Sequence, residues 1–408
     1  MKTKFLLLVL LMGLINFSCS DDNDDPVVIL KADKLNINEG IVGDEVVLTG
    51  EGFSENKEEN IVSFNEVQAT ILQASASELK VIVPEGATTG NLTVKVADKS
   101  IDFGVFTVKK EILFFIKAKY SNDDVVSTIV SLDPATGEEL DKYELPVLEE
   151  DVCYSSMTYL AKTNEIAILA VDEENGKNIS LYKMNLETKN TTKVDLQGED
   201  RFYYWEMVSD KDDNLYLNKT SFTGDAVYLM KVDPVTGKQK VFYQNSESDI
   251  IEFVYLNYLE ETNEIVMAIL NNDNNDTISK LFKINLENGT KSEIALSQKG
   301  NYEALGADNA NNLYLLKDGY DENQPSKILK LDQTTGSEET IHELKKPNYC
   351  YTQPVYLEST NELVYCPFDE EGTDQFLLKV NLETKATKEI VLNNSEVLYY
   401  ESMIKIYR

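Results

Sequence analysis

One unbroken apolar run stands near the start of the chain, and beyond residue 27 apolar and polar positions alternate with a period of two in short stretches. That alternation predicts half-buried β-strands throughout, an all-β chain. From 27 to 108 the stretches are set off by turn residues: Val46-Val47-Leu48, Ile61-Val62-Ser63-Phe64, Leu79-Lys80-Val81-Ile82-Val83 and Leu92-Thr93-Val94-Lys95-Val96. Spacing of this kind reads as a β-sandwich.

From 109 to 408 the pattern repeats. Asp133-Pro134-Ala135-Thr136-Gly137 and Asp233-Pro234-Val235-Thr236-Gly237 are variants of one turn, as are the segments that begin at Asn185, Asn285, Asp332 and Asn381. The Asp or Asn positions 133, 185, 233, 285, 332 and 381 are separated by 52, 48, 52, 47 and 49 residues. A second turn precedes five of them, as Thr163-Asn164-Glu165, Asp213-Asn214, Thr262-Asn263-Glu264, Asn311-Asn312 and Thr360-Asn361-Glu362. Two tight turns and four strands per period of about fifty residues is the pattern of a β-propeller blade, and the six periods predict a six-bladed β-propeller. Asp, Asn, Pro and Gly recur because tight turns need them, so a metal reading of the six turns is disfavoured. The first repeat lacks its first strand, and the tail from Tyr399 to Tyr407 has the character of one, so the C-terminal strand is expected to close the ring.

Within 27–108, Gly43-Asp44, Leu48-Thr49-Gly50-Glu51-Gly52-Phe53, Asn60-Ile61-Val62-Ser63-Phe64-Asn65, Val83-Pro84, Gly86 and Thr89-Gly90 recur in an order that resembles the IPT/TIG branch of immunoglobulin-like domains. The resemblance implies a spacer or interaction module and no catalysis.

Residues 1–18 read as an export signal: Lys2 and Lys4 precede an apolar stretch from Phe5 to Ile15, which is too short to span a bilayer. Cys19 follows directly and resembles the acylated cysteine of a bacterial lipobox, in the looser form of the Bacteroidota. Asn16 and Phe17 depart from the commonest residues of that motif. The linker 19–26, with Asp21, Asp22, Asp24 and Asp25, resembles the acidic signal that sends Bacteroidota lipoproteins to the cell surface. The resemblance implies a lipid anchor on Cys19 in the outer membrane, facing outward, as the membrane partner.

Composition narrows the chemistry. With 38 Lys and Arg against 71 Asp and Glu, the net charge is −33, and nucleic acid is excluded as a partner because phosphate binding rests on cations. The single histidine, His342, leaves no basis for a multi-histidine metal site and favours a binder over an enzyme. Besides Cys19 the cysteines are Cys153, Cys350 and Cys366, without metal or redox spacing, and are expected as buried thiols.

The starts of the first strands are rich in aromatic and amide or acid side chains. Tyr154, Tyr203, Tyr204, Trp205, Glu206, Tyr302, Glu303, Tyr351, Gln353, Tyr399, Tyr400 and Glu401 are the candidate ligand-binding residues of a channel mouth. The alternative is that the aromatics pack between blades, since strands favour them anyway. The loops 119–126, 172–178, 218–226, 271–277, 318–327 and 368–375 fall at the same face. No catalytic residue and no metal ligand set is singled out. Calcium stays open as a channel ion, because carboxylates and amides suit it, although the ligand pattern of gluconolactonase-like propellers is not recognisable. Asp276-Thr277-Ile278 resembles the O-glycosylation sequon of exported Bacteroidota proteins, at Thr277.

The function these features imply is capture of a glycan, peptide or metal chelate beside an outer-membrane transporter. A lactonase- or glycosidase-type hydrolase and a protein-interaction scaffold are the rivals.

Overall fold

The computed structural model describes residues 29–121, 124–148, 152–172, 179–197, 202–221, 226–245, 251–273, 276–294, 296, 302–317, 325–344, 352–367, 375–392 and 398–408. Among them the one helical element is a single turn at Lys57–Glu59, and no helix is long and apolar enough to cross a membrane. The chain is all-β and divides into two compact units, one centred on Asp44–Thr107 and the other on Val108–Arg408.

The first unit stacks two sheets. One has the strand order Lys31–Leu35, Glu45–Glu51, Glu78–Ile82, Thr70–Ala74. The other runs Glu39–Gly40, Lys99–Val108, Gly90–Val96, Asn60–Phe64, Val67–Gln68. Alternation does the work: Val46 and Leu48, Val62 and Phe64, Leu79 and Val81, Leu92 and Val94 all face inward with at most 1% exposure, while their neighbours face solvent. Phe64 and Phe106 meet edge-on at 4.9 Å. Gly50 is required by a close approach, because a Cβ there would stand 2.2 Å from the carbonyl oxygen of Lys31.

The second unit holds six four-stranded antiparallel sheets among the described residues. Sheet one is Leu398–Tyr407, Glu111–Ser121, Asp124–Leu132, Glu139–Glu144; sheet two is Val152–Leu160, Glu165–Asp172, Ser180–Asn185, Thr191–Asp195. Sheet three is Phe202–Ser209, Leu215–Ser221, Val227–Val232, Gln239–Asn245; sheet four is Ile251–Leu259, Glu264–Asp273, Asp276–Asn285, Lys291–Ile294. Sheet five is Tyr302–Ala307, Leu313–Lys317, Lys327–Leu331, Glu338–Glu343; sheet six is Val355–Leu357, Glu362–Tyr365, Phe376–Asn381, Thr387–Val391.

The first strands of successive sheets touch in one cycle, from sheet one through sheet six and back. Each junction carries its own apolar cluster, because alternate residues of every second strand point to opposite neighbours. Ile112, Phe114 and Ile116 pack towards sheet two, whereas Leu113 and Phe115, on the same strand, pack towards sheet six. Clusters of the same kind join sheets two and three, three and four, four and five, and five and six. The result is β-propeller-like.

The C-terminal strand supplies the first strand of sheet one, with Leu113 opposite Lys405 and Phe115 opposite Met403. A side-chain device secures this seam. Glu111, 5% exposed, accepts backbone N–H bonds from Glu358 at 2.7 Å and Ser359 at 3.2 Å in sheet six, and pairs with Lys405 at 3.2 Å. Asp213 does the same between sheets three and two, accepting from the N–H groups of Ala161 and Lys162 at 2.8 Å each. Glu111 therefore stands in for the turn carboxylate where the chain ends are joined.

The turns explain the repeat. Asp133, Asn185, Asp233, Asn285, Asp332 and Asn381 each accept a bond from the N–H two residues on, at 2.7 to 3.2 Å. The N–H of Leu186, Leu286 and Leu382 reaches the carbonyl of Asn164, Asn263 and Asn361, which puts both tight turns at one end of the sheet. Around the ring the turns alternate. Sheets one, three and five use Asp and end on Gly137, Gly237 and Gly336, while sheets two, four and six use Asn and end on Lys189, Gly289 and Lys385. The other turn alternates too. In sheets two, four and six Tyr159, Tyr258 and Tyr356 donate to Asn164, Asn263 and Asn361 at 3.0 to 3.1 Å. In sheets three and five Tyr216 and Tyr314 donate instead to Asp210 and Asp308. Sterics separate the two kinds. A Cβ on Gly237 would stand 2.1 Å from the carbonyl oxygen of Asp195 and one on Gly137 2.8 Å from Ile390, whereas Gly289 has open space. The ring is a threefold recurrence of a two-sheet unit.

Candidate functional site

Inner strands carry faults in their ladders, after one repeat position in sheets two, three and five and just before it in sheet four. Register breaks fall between Tyr154 and Ser156, Tyr204 and Met207, Ile251 and Phe253, and Tyr302 and Ala304. A bulge frees backbone donors and re-aims side chains. Neighbouring strands cap the donors: Met157 N–H donates to Ser402 Oγ at 3.2 Å, Met207 N–H to Ser156 Oγ at 3.1 Å, and Leu305 N–H to Gln353 Oε1 at 2.8 Å.

At the sheet-three bulge, the Glu206 N–H donates to Asn218 Oδ1 at 2.7 Å. Its carboxylate oxygen Oε1 accepts from Gln353 Nε2 at 3.2 Å. Sheets three and six are opposite members of the six-sheet cycle, so this bond spans the ring. Gln353 thereby holds sheet five through Leu305 and sheet three through Glu206. Glu206 is partly buried. Loss of hydration pushes its pKa up to about 8, and the bond from Gln353 pulls the other way. A neutral carboxyl beside an amide offers both a donor and an acceptor, without a net charge.

The tyrosines of the sequence-derived set take the other role. Tyr154, 3% exposed, donates to the carbonyl of Pro146 at 2.8 Å and meets Tyr182 edge-on at 5.4 Å between sheets one and two. Tyr302, 2% exposed, donates to Glu338, which also pairs with Lys317 at 3.6 Å. Tyr400, 3% exposed, packs edge-on against Phe115 at 5.1 Å, and Tyr204, 4% exposed, lies in the cluster between sheets two and three. Burial raises the pKa of all four. They occupy one repeat position, three residues before Met157, Met207, Leu305 and Met403, and fill the seams between sheets rather than a channel mouth. Their assignment as ligand contacts is corrected accordingly: period-two alternation turns this position sideways, into the junction.

Tyr203 is half-buried at the start of its strand. Trp205, Glu303, Tyr399 and Glu401 are described in backbone only, and Tyr351 and Cys19 lie outside the described residues. The candidate set thus contributes one described contact across the ring, Glu206 with Gln353. Asn218 was missed; it is followed by Lys219, Thr220 and Ser221 on the same strand, so nothing in the sequence singles it out.

Thr277 is not in a loop. It pairs with Asn272, and the hairpin continues to Asp273 opposite Asp276, so 271–273 and 276–277 of the expected loop are strand. The expected loop 119–126 is likewise paired as far as Ser121 and Asp124. His342 lies on the outermost strand of sheet five, opposite Ile328. Cys366 is 2% exposed and Cys153 half-buried, while Cys350 lies outside the described residues. Among the described residues no group of three or more His, Cys, Asp or Glu side chains is placed to hold a metal ion.

Among curated proteins none matches the chain. Among solved structures it is similar to TolB from Acinetobacter baumannii, at 10% identity and a TM-score of 0.52, over 84% of this chain and 83% of that one. That likeness is one of fold. An auxiliary nutrient binding protein from Bacteroides thetaiotaomicron aligns at 11% identity and a TM-score of 0.38, over 92% of this chain and 99% of that one. A protein of unknown function from the same organism aligns at 13% identity and a TM-score of 0.46, over 84% and 96%. In the first unit the match is to a family: residues 33–110 carry an IPT/TIG domain.

Proposed function

We propose that this protein is a Bacteroidota surface lipoprotein, anchored through Cys19. In this reading its six sheets are the blades of a closed propeller that binds a neutral polar nutrient for an outer-membrane transporter. The IPT/TIG domain serves as the spacer between membrane and propeller. The observation that carries the binding role is the Glu206–Gln353 bond. It joins opposite sheets of the ring through two polar side chains that are each only partly buried. A net charge of −33 disfavours strongly anionic ligands, and a carboxyl with a pKa near 8 accommodates an uncharged one without repulsion. Glycan ends and short peptides meet those conditions. No bond cleavage is invoked.

The test is a thermal-shift screen of the purified protein against neutral oligosaccharides, short peptides and calcium. A saccharide or peptide that raises the melting temperature supports capture. A shift with calcium alone favours the hydrolase class, and no shift with any of them favours a scaffold. Protease shaving of intact cells tests the location: digestion in step with a known surface protein is expected, and full protection contradicts surface exposure.

A further inference from the structure

We propose that the ring is built to move as three two-sheet bodies, sheet two with three, four with five and six with one, and that the Gln353 amide is the latch that holds them to one another. Apolar clusters line all six junctions alike, so polar contacts decide which neighbours are tied. At the turn end, those of sheets one, three and five run to the sheet before. Asp213 takes the N–H groups of Ala161 and Lys162 at 2.8 Å each, Glu111 takes those of Glu358 and Ser359 at 2.7 and 3.2 Å, and Asn311 Nδ2 donates to Thr262 Oγ1 at 3.4 Å. The second turns of sheets three and one are tied to the same neighbours. Gln197 N–H donates to the carbonyl of Gly237 at 2.9 Å, and Lys388 Nζ to that of Ala135 at 3.0 Å.

The seams between these bodies are bridged differently. Asn164, Asn263 and Asn361, the matching turn residues of sheets two, four and six, are taken by tyrosines of their own sheets. From the second turns of those sheets, Lys189 lays its ammonium over Tyr143 at 5.0 Å, Lys385 pairs with Glu339 at 2.5 Å with both side chains exposed, and Gly289 has open space. An exposed ion pair adds little in water, whereas a carboxylate that accepts two backbone N–H groups makes stronger, charge-assisted bonds. On the inner strands the bodies meet again. Met157 N–H donates to Ser402 Oγ across the seam between sheets one and two. Gln353, in the six–one body, bonds Glu206 of the two–three body and Leu305 of the four–five body, so one amide reaches all three. Parts of a protein tied in this way open as cooperative units, each at its own free energy, and a link between units raises the cost of opening them. The device does not depend on what the protein binds.

Native-state hydrogen exchange, read by mass spectrometry on the full protein, on Gln353→Ala and on Asp213→Gly, is the test. In Gln353→Ala the strands of all six sheets are expected to exchange about tenfold faster than in the parent, in three matched groups, two with three, four with five and six with one. Asp213 has a positive φ of 62°, so glycine keeps the turn and drops both acceptors. Asp213→Gly is expected to part sheet two from sheet three and to leave the other two bodies as they were. Faster exchange confined to the strands next to Gln353 makes its contacts local and overturns the latch. Matched exchange of one with two, three with four or five with six overturns the pairing. If Gln353→Ala does not fold, Asp213→Gly decides alone: exchange that parts sheets two and three upholds the pairing, and exchange like the parent's overturns it.

Discussion

Gln353 Nε2 donates to Glu206 Oε1 at 3.2 Å across 147 positions of sequence, and the same amide accepts from Leu305 N–H at 2.8 Å. Three sheets of the ring are thus tied through one side chain. The tie is polar and includes an ionisable group.

The first prediction concerns pH. A carboxyl whose pKa rises from 4.5 to about 8 on folding holds its proton more tightly in the folded state. Stability contributed by this group is therefore greatest at low pH and declines as pH climbs from 4.5 to about 8, by up to about 1.4 kcal/mol per pH unit. Glu206→Gln keeps the acceptor and removes the titration. Its melting temperature is expected to exceed the parent's at pH 8 and to converge with it near pH 5. Equal pH profiles for the two proteins would refute the buried-carboxyl account.

Ring closure gives a second. Removing the Glu111 carboxylate by Glu111→Ala leaves two backbone donors in sheet six and the ammonium of Lys405 without their partner. The cost is expected to be about 3 kcal/mol, the range for breaking a buried pair. Denaturant titration measures it. Deleting the strand Leu398–Tyr407 should abolish the cooperative transition of the second unit, and a truncated chain that melts like the full one would contradict closure.

The alternating turns give a third. Gly237→Ala puts a Cβ 2.1 Å from a backbone oxygen, so it requires the neighbouring strand to move. A loss of more than about 3 kcal/mol is expected. Gly289→Ala meets only the strain of a positive φ, which Lys189 and Lys385 already sustain at the matching positions. It should cost about 1 kcal/mol. Equal losses would remove the steric reason for the two kinds of turn.

A fourth separates packing from recognition. Tyr302→Phe deletes the bond to Glu338 at a seam between sheets. Stability is expected to fall by about 1 to 2 kcal/mol while ligand affinity stays unchanged. A loss of affinity without a loss of stability would return this tyrosine to the binding site.

Much of this architecture is legible in the chain itself. The recurrence of Asp133, Asn185, Asp233, Asn285, Asp332 and Asn381 marks the turns because those residues bond their own backbone, a local interaction that survives in sequence. The closing strand is legible because a repeat lacking its first strand leaves an edge. Asp and Asn turns alternate in the same six positions, but the demand for glycine at Gly137 and Gly237 comes from how near the adjacent sheet lies, which is not local. The aromatic starts of the inner strands misled for a related reason. Period two separates the two faces of a strand and cannot say which of them meets a neighbouring sheet, so Tyr154 and Glu206 look equally exposed to a ligand on paper. The Glu206–Gln353 contact depends on the closed ring, and no spacing within either segment announces it.

The central claim is that a neutral polar ligand is captured beside the Glu206–Gln353 pair. The most direct measurement is isothermal titration calorimetry of one saccharide or peptide hit at pH 7 against the parent and Gln353→Ala, each confirmed as folded. A loss of affinity of about tenfold or more in Gln353→Ala, with a stoichiometry of about one in the parent, is the predicted result. Unchanged affinity in a folded Gln353→Ala protein would place the ligand elsewhere and contradict the account.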